Sequence, residues 1–389
     1  MPFNPLEHPG IPLDRQSQRQ VPRAARPDAV DDGDPFTRCR VMTMHAIETE
    51  AALFDEELVR SCGDPKATGI LTRLHDIEGR QLRTLRRLVP GRPGVLEAAV
   101  AQEQVSVDLT AWVARMEPDP RRRSLYRRTL EEDFDHLYRL ANLYEMTTHR
   151  SAGLDAEDLV TMEPRRRSTI RPASGGTRPR QRRTAPPALS ELHALTLGIT
   201  QLQTTHFYDG IGLRRPGRRR TCGELGSIGH EHLTRADTST DPGRTAWEEL
   251  VMREYNECYL YHCFAEQETD SQLKALWEFH LGLELGHLHA ACNLMRRQDG
   301  LDPSDILPPQ LPSALDFTGN RDYLLTLMDA GSHFAGMDIH PAHPAGARFG
   351  QVPPATGSLD PPRTARKSAD GHLPFGSARL FQDHRRPPG

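Results

Sequence analysis

The sequence predicts an all-α protein made of two tandem four-helix bundles. Apolar residues recur at spacings of three and four, which is the periodicity of a helix with one buried face. No segment shows the alternating pattern with turn punctuation that is typical of strands. The breaks between the periodic segments are short and contain Gly, Pro and Asp. Four helices in each half of the chain, joined by short connections, favour bundles over other helical folds.

The predicted helices fall into two groups of four. They cover residues 39–62, 67–89, 94–116, 121–148, 188–208, 219–235, 244–268 and 271–297. Hydrophobic residues make up 37% of the 389-residue chain, which also has 32 Pro and 30 Gly, whereas a compact chain is about 45–50% apolar. Part of the chain is therefore expected to be disordered. The predicted organisation is an N-terminal disordered arm (1–36), a first bundle (37–150), a basic Pro/Gly-rich linker (151–187), a second bundle (188–332) and a disordered tail (333–389).

Charge, hydropathy and cysteine content exclude several classes of protein. The 49 basic and 53 acidic residues give a net charge of −4, whereas a general nucleic-acid binder is basic. No apolar run approaches the roughly 18 residues that span a bilayer, and no secretory signal pattern opens the chain. The six cysteines include no CxxC pair, which fits a reduced protein. These features predict a bacterial-type cytoplasmic protein with no membrane partner.

An internal repeat places one acidic residue near the middle of each helix in three helix pairs. The paired acids, 30 residues apart in every case, are Glu48 and Glu78, Glu103 and Asp133, and Glu254 and Glu284. An Asp lies at the same offset between the acids of each pair, where its carboxylate can cap the second helix. These residues are Asp64, Asp119 and Asp270, of which the first two precede Pro. Each unit is therefore predicted as a helix, a tight turn and a second helix.

Residue types that bind metals follow the second acid of each pair. Three positions later come Gln81, His136 and His287, one helical turn away on the same face. The neighbours of the acids at helical spacing are apolar, and a buried carboxylate is costly unless it is protonated, paired or metal-bound. Acid–His pairs on apolar faces therefore predict metal sites, and the alternative is a carboxylate paired with Arg or Tyr. Tyr261 is assigned to the aromatic core, and His280 to a surface or satisfied position.

The fourth helix pair departs from this pattern. Its second helix carries His232 in the register of the other histidines, but Gln201 and Gly229 stand where the acids belong. Three protein ligands with water can hold one metal, so a partial site is predicted in the second bundle. In two other helices, Glu50 and Glu257 compete for the inward position with the acid two or three residues before them, and only the register of the repeat decides.

The ExxH pattern on one helix, with a lone Glu on the preceding helix, resembles the ferritin-like carboxylate-bridged di-iron proteins. This group includes ferritins, bacterioferritins, rubrerythrins and manganese catalases. The resemblance implies two tandem ferritin-like bundles with a di-iron or di-manganese cofactor, and neither haem nor nucleotide. The metal ligands it implies in the first bundle are Glu48, Glu78, Gln81, Glu103, Asp133 and His136. Those it implies in the second bundle are His232, Glu254 or Glu257, Glu284 and His287.

The function implied by the resemblance is a non-haem oxidoreductase that uses O₂ or peroxide. Carboxylates suit this chemistry because they shift between binding modes, while open coordination positions admit small oxidants. Two other functions stay open. One is iron storage or detoxification, although a tandem chain fits a hollow shell poorly. The other is a metal-free helical scaffold, which the substitutions at Gln81, Gln201 and Gly229 favour.

The sequence suggests two macromolecular partners. One is a second copy of the chain in a homodimer. The other follows from residues 370–380, DGHLPFGSARL, which resemble the docking peptides of encapsulin cargo, several of which are ferritin-like enzymes. Leu373, Phe375 and Leu380 would fill shallow apolar pockets of such a shell. The alternative is an ordinary disordered tail.

Overall fold

Helices are the regular secondary structure of the part of the chain that the structure describes. The computed structural model describes residues 3–19, 21–22, 30, 36–89, 95–148, 188–214 and 244–329. These residues form nine α-helices and no β-strand, which confirms the all-α prediction. Among them, no helix combines the length and the apolar character that crossing a membrane requires.

Seven of the nine helices in the described residues correspond to predicted ones, in the predicted order, whereas the first and the last have no predicted counterpart. They are α1 (Leu13–Gln16), α2 (Thr37–Ser61), α3 (Pro65–Leu88), α4 (Val95–Met116), α5 (Pro120–Thr148), α6 (Ala188–Arg214), α7 (Ala246–Gln267), α8 (Ser271–Gln298) and α9 (Arg321–Asp329). Helices α2 to α5, α7 and α8 begin and end within two residues of their predicted bounds. Helix α6 extends six residues beyond its predicted end. The predictions that lie outside the described residues are the helix over 219–235 with Gly229 and His232, the linker 151–187, the tail 333–389 and its docking peptide 370–380.

Asp residues begin three of these helices, as predicted. The side chains of Asp64, Asp119 and Asp270 each accept a hydrogen bond from the backbone N–H two residues later, at 3.0, 2.8 and 2.9 Å. Each carboxylate thereby satisfies a donor that the first helical turn leaves without an intrahelical partner. The tight turns of the repeat form the helical hairpins α2–α3, α4–α5 and α7–α8.

The hairpins do not assemble in sequence order. Helix α2 packs on α7, and α3 packs on α8, so the first hairpin of the chain meets the last. Buried Arg40 of α2 forms an ion pair across this junction, since its Nε lies 3.1 Å from Glu268 Oε2 at the end of α7. Helices α4 and α6, from the intervening chain, pack on each other. The expectation of tandem bundles over 37–150 and 188–332 is therefore not confirmed.

Helix α4 lies between two apolar cores. Every residue from Ala98 to Ala114 is buried, which is the pattern of a helix enclosed on all sides. Trp112 belongs to the core shared with α2, α7 and α8, where it packs edge-on against Phe36 and Phe317. Val107 belongs to the core shared with α5, α6 and α9. Helix α4 is thus the common wall of both cores.

Residues 3–19, named the N-terminal strap from here on, lie against α8 and α3. Ile11 N donates a hydrogen bond to Gly282 O of α8 at 2.6 Å. Gly10 adopts a φ of +58°, and a Cβ at this position would overlap α8. Such a close approach in the left-handed region requires glycine. The expectation of a disordered arm over 1–36 is not confirmed for the strap.

The segment after α8 returns along α7 and reaches α4. Tyr259 Oη of α7 donates a hydrogen bond to Ser313 O at 2.9 Å. Trp112 Nε1 of α4 donates one to Thr318 O at 2.6 Å. The segment therefore joins the two helices before α9 packs on α4.

A fragment of residues 188–329 should not fold independently. In the whole chain, α2 and α3 pack on α7 and α8, so the fragment would expose the apolar surface of that junction. We expect broad thermal melting by circular dichroism, and a cooperative transition when residues 3–148 are co-expressed and co-purified. A fragment that melts as sharply as the whole chain would contradict the observed hairpin pairing.

Candidate metal centre

Five carboxyl groups and one imidazole converge between the hairpins α2–α3 and α7–α8. No more than 4% of the surface of any of these residues is exposed. They are Glu48 of α2, Glu78 of α3, Glu254 and Glu257 of α7, and Glu284 and His287 of α8.

Helical spacing places these groups on inward faces. Glu284 and His287 are one turn apart on α8, as are Glu254 and Glu257 on α7, so both members of each pair face the same side. Leu288, one turn beyond Glu284, is fully buried on the same face. The apolar periodicity that buries each helix therefore also buries its acids.

His287 lies at the centre of the cluster. Its Nδ1 is 2.7 Å from Glu78 Oε1, 3.0 Å from Glu284 Oε2 and 3.8 Å from Glu254 Oε2. Within the described residues, His287 is the only basic partner in the close contacts of the five glutamates. One imidazole cannot balance five ionised carboxylates, so the cluster needs protons or bound cations.

The cluster divides into two overlapping groups of candidate metal ligands. In each group, one ligand atom from every residue lies within 4.8 Å of the others. The first group is Glu78, Glu254, Glu284 and His287, and the second is Glu48, Glu78, Glu257 and Glu284. Glu78 and Glu284 belong to both groups, and each has two carboxylate oxygens. The two groups of candidate ligands therefore overlap at two carboxylates.

Several oxygens of the cluster are buried without a hydrogen bond. Among the described residues these include Oε2 of Glu48, Glu78, Glu254 and Glu257. A buried oxygen with no donor costs about 1–3 kcal/mol, and more if it is charged. Metal ions would satisfy these atoms, because hard divalent cations prefer carboxylate oxygen. The residues present therefore fit a metal centre.

Gln81 of α3 joins the two hairpins, at the position where the other two hairpins carry a histidine. Its Nε2 donates hydrogen bonds to Glu48 Oε1, at 3.2 Å, and to Glu284 Oε1. Its Oε1 is buried without a hydrogen bond. The amide therefore holds two acids of the cluster in place and leaves one weak oxygen ligand facing the core.

Tyr261 and His280 extend the cluster through hydrogen bonds. Tyr261 Oη donates to Glu48 Oε1 and lies 2.9 Å from His280 Nδ1. Because the hydroxyl hydrogen goes to Glu48, Nδ1 of His280 must donate to the hydroxyl oxygen. Burial lowers the pKa of His280 to about 4, so the ring is neutral at pH 7. These two residues and Glu48 form a directed chain of donors that ends at Oε1.

Burial among like charges raises the pKa values of most acids in this region. Burial, and after it the charge of Glu284, raises the pKa of Glu48 from 4.5 to about 8. The same two causes raise the pKa of Asp55 from 3.8 to about 8. Burial and like charges also raise, well above the ordinary value, the pKa values of Glu78, Glu254 and Glu257. Without metal, these groups therefore hold protons at neutral pH.

Glu284 is the exception in the cluster. Burial raises its pKa, but the charge of His287 and the hydrogen bond from its ring outweigh burial, and the net shift is downward. Glu284 is therefore the acid of the cluster that remains ionised in the metal-free protein.

A second buried group lies between α4 and α5. Its members, each with a ligand atom within 4.8 Å of the other two, are Glu103, Asp133 and His136. Asp133 accepts hydrogen bonds from Thr110 Oγ1 at 2.8 Å and from Gln201 Nε2 at 3.3 Å. Glu103 Oε1 accepts one from Tyr208 at 2.5 Å. Neutral donors satisfy these carboxylates and so reduce the need for a cation.

The structure divides the expected ligands differently from the two predicted bundles. Glu48, Glu78 and Gln81 do not share a site with Glu103, Asp133 and His136 but lie with Glu254, Glu257, Glu284 and His287. The reason is the hairpin pairing, because α7 and α8 cover the acidic faces of α2 and α3. Glu257 joins Glu254 inside the cluster, and Glu50 lies outside it, 3.9 Å from Arg253. His232 is outside the described residues.

Some side chains of the centre are absent from the sequence-predicted site. Asp55 lies seven residues after Glu48, and Tyr261 seven after Glu254, so a search at two-turn spacing would have found both. Gln16 of the strap, whose Oε1 lies 2.8 Å from His287 Nε2, gives no such signal, because it belongs to a one-turn helix.

No protein-family model, curated protein or solved structure matches the chain.

The metal-free protein should lose stability as pH rises towards 8. Acids with raised pKa values bind more protons in the folded than in the unfolded state, so the free energy of unfolding falls with pH up to the folded pKa, about 8 for Glu48 and Asp55. The slope is roughly 1 kcal/mol per pH unit for each such acid. Thermal melting of metal-stripped protein above about pH 6.5, where ordinary acids are already ionised, measures it.

Two variants make this pH test specific. Asp55→Asn should make the fall of unfolding free energy with pH less steep by the contribution of one acid, roughly 1 kcal/mol per pH unit. Glu57→Gln, at an exposed position two residues away, should leave the slope unchanged. A melting temperature that rises over this pH range in the metal-stripped wild type would show that the carboxyl groups are not protonated.

Proposed function

We propose that the chain binds two transition-metal ions between α2, α3, α7 and α8 and acts as a non-haem di-iron or di-manganese oxidoreductase. One observation carries this proposal, namely that two groups of four candidate ligands share Glu78 and Glu284. A carboxylate that belongs to both groups can bridge two ions, one through each oxygen. The ligands that belong to a single group are Glu254 and His287 for one ion, and Glu48 and Glu257 for the other.

The kind and arrangement of donors support iron or manganese. Carboxylate oxygens suit manganese, and their combination with imidazole nitrogen suits iron. In ferritin-like proteins, two helices each give one Glu and two helices each give a Glu-x-x-His pair. Here Glu48 and Glu254 correspond to the lone acids, Glu284 and His287 to one pair, and Glu78 to the acid of the other. Gln81 replaces the second histidine, and Glu257 adds a carboxylate that the pattern lacks.

The proposed reaction class is the oxidation of a substrate with O₂ or peroxide. Bound iron or manganese would supply the redox chemistry towards these small oxidants. The chain itself keeps bulk water away, because every ligand is buried. Tyr261 and His280 hold protons beside the centre, and Tyr261 can deliver one to Glu48 Oε1.

The group on α4 and α5 supports a smaller role. Glu103, Asp133 and His136 provide three ligand atoms, and two of these side chains already accept hydrogen bonds from neutral groups. We propose that this group holds at most one ion, bound more weakly than those of the centre between the hairpins.

Metal-stripped protein reconstituted with Fe(II) or Mn(II) without oxygen should bind two ions tightly per chain at the two overlapping groups. Glu284→Gln should lose both ions because the residue belongs to both groups. Glu257→Gln should lose mainly one ion, because it belongs to a single group. Elemental analysis after removal of loosely bound metal measures the stoichiometry, and optical spectra with and without O₂ report the redox state.

Controls separate this centre from the rest of the chain. Glu266→Gln changes an exposed acid of α7 and should leave the stoichiometry unchanged. His136→Ala should remove only the weaker ion, if one is bound there. A wild-type chain that binds no metal would leave the metal-free scaffold as the better explanation. Elution from gel filtration at the size of a hollow multi-subunit shell would instead favour iron storage.

Tyr261→Phe should keep the metal stoichiometry but slow the aerobic oxidation of bound Fe(II). The variant removes the hydroxyl that connects Glu48 with His280, and a positioned proton donor typically contributes at least about 100-fold. Stopped-flow absorbance measures the oxidation rate. Tyr259→Phe is the matched control, because its hydroxyl donates to Ser313 O. Equal rates in all three proteins would exclude a proton-transfer role for Tyr261.

A further inference from the structure

The N-terminal strap contacts the candidate metal centre through one side chain. Gln16 is 2% exposed, although its helix has a single turn of four residues. Its Oε1 lies 2.8 Å from His287 Nε2, the ring nitrogen on the far side from the acids. No other element of the described chain is hydrogen-bonded to this nitrogen.

The orientation of the Gln16 amide is fixed by the backbone around it. Its Nε2 donates hydrogen bonds to Ile11 O at 2.8 Å and to Leu283 O at 2.9 Å. Both contacts require donors, so the amide nitrogen must face these carbonyls and the amide oxygen must face His287. Gln16 can therefore act towards the ring only as an acceptor.

An acceptor at this place selects one tautomer of His287. The ring must carry a proton on Nε2 to donate to Gln16 Oε1. The lone pair of the neutral ring is then on Nδ1, which lies 2.7 Å from Glu78 Oε1 and 3.0 Å from Glu284 Oε2. Nδ1, the proposed ligand atom of the ring, therefore lies beside both carboxylates that are proposed to bridge the ions.

Glycines allow the strap to come close enough for this contact. A Cβ at Gly286 would overlap the Ile11 carbonyl and the Gln16 side-chain nitrogen. Gly286 is inside α8, where glycine costs roughly 1 kcal/mol relative to alanine. The position therefore gives up helix stability, and the approach of the strap explains why.

We infer that Gln16 is a positioning residue of the metal centre, which holds the His287 ring in the tautomer and orientation that present Nδ1 to the metal. This inference rests on the proposed metal binding. Partners of this kind orient metal-bound histidines and raise their basicity, and their loss typically lowers metal affinity by about 10–100-fold. The strap is then part of the metal centre, although it lies far from the ligands in sequence.

The test compares two ways of removing the contact in the full chain. Gln16→Met keeps the side-chain length but removes the amide. Gly286→Ala leaves Gln16 and His287 intact but displaces the strap. Both should weaken Zn(II) binding by about 10–100-fold in a competition titration. Both should also make the Nε2 proton of His287 exchange rapidly with water, as measured by NMR on ¹⁵N-histidine-labelled, Zn-loaded protein.

Matched controls and outcomes decide the inference. Gln18→Met changes an exposed residue of the strap, and Gly69→Ala adds a methyl group with nothing within 4 Å. Both should match the wild type in affinity and proton exchange. Equal affinity and equal exchange in all five proteins would overturn the role of Gln16 but leave the metal centre standing. A wild type that binds no metal would overturn both proposals.

Discussion

Five carboxyl groups, buried close enough to repel one another when ionised, set the main electrostatic constraint on this fold. Each ionised acid in such a place costs free energy unless a cation, a proton or a hydrogen bond compensates its charge. The metal-free chain uses the last two: protons on the acids with raised pKa values, and hydrogen bonds from Gln81 and Tyr261. Two metal ions would replace most of this compensation at once. In the proposed function, metal binding and folding stability would therefore be linked.

The group on α4 and α5 shows how the same helical pattern loses this constraint. Its helices repeat the spacing of acid, capping Asp and histidine found in α7 and α8. Asp133 and Glu103, however, accept hydrogen bonds from Thr110, Gln201 and Tyr208. Neutral donors make the burial of these acids tolerable without an ion. Similar sequence spacing thus gives one group with several carboxylate oxygens that lack hydrogen-bond donors and one group whose carboxylates are largely hydrogen-bonded.

The sequence predicts the helices and the inward acids well, because both depend on local periodicity. The caps at Asp64, Asp119 and Asp270 are likewise local, and the structure confirms them. Which hairpins meet is a different kind of information. All three hairpins carry acids on an apolar face, so the pattern alone does not distinguish a partner next in sequence from one at the far end. Gln16 was missed for a related reason, since its contact spans 271 residues and leaves no periodic trace.

The pairing of the first hairpin with the last determines when the centre can assemble. Glu48 and Glu78 are synthesised long before Glu284 and His287. At ~5–20 residues per second, the first hairpin waits roughly 10–40 s on the ribosome for its partner. During this time its acidic face has no α7–α8 surface to cover it. Incomplete chains that end before α8 lack Glu284 and His287, two of the six candidate ligands, so only a chain that includes α8 can complete the proposed centre.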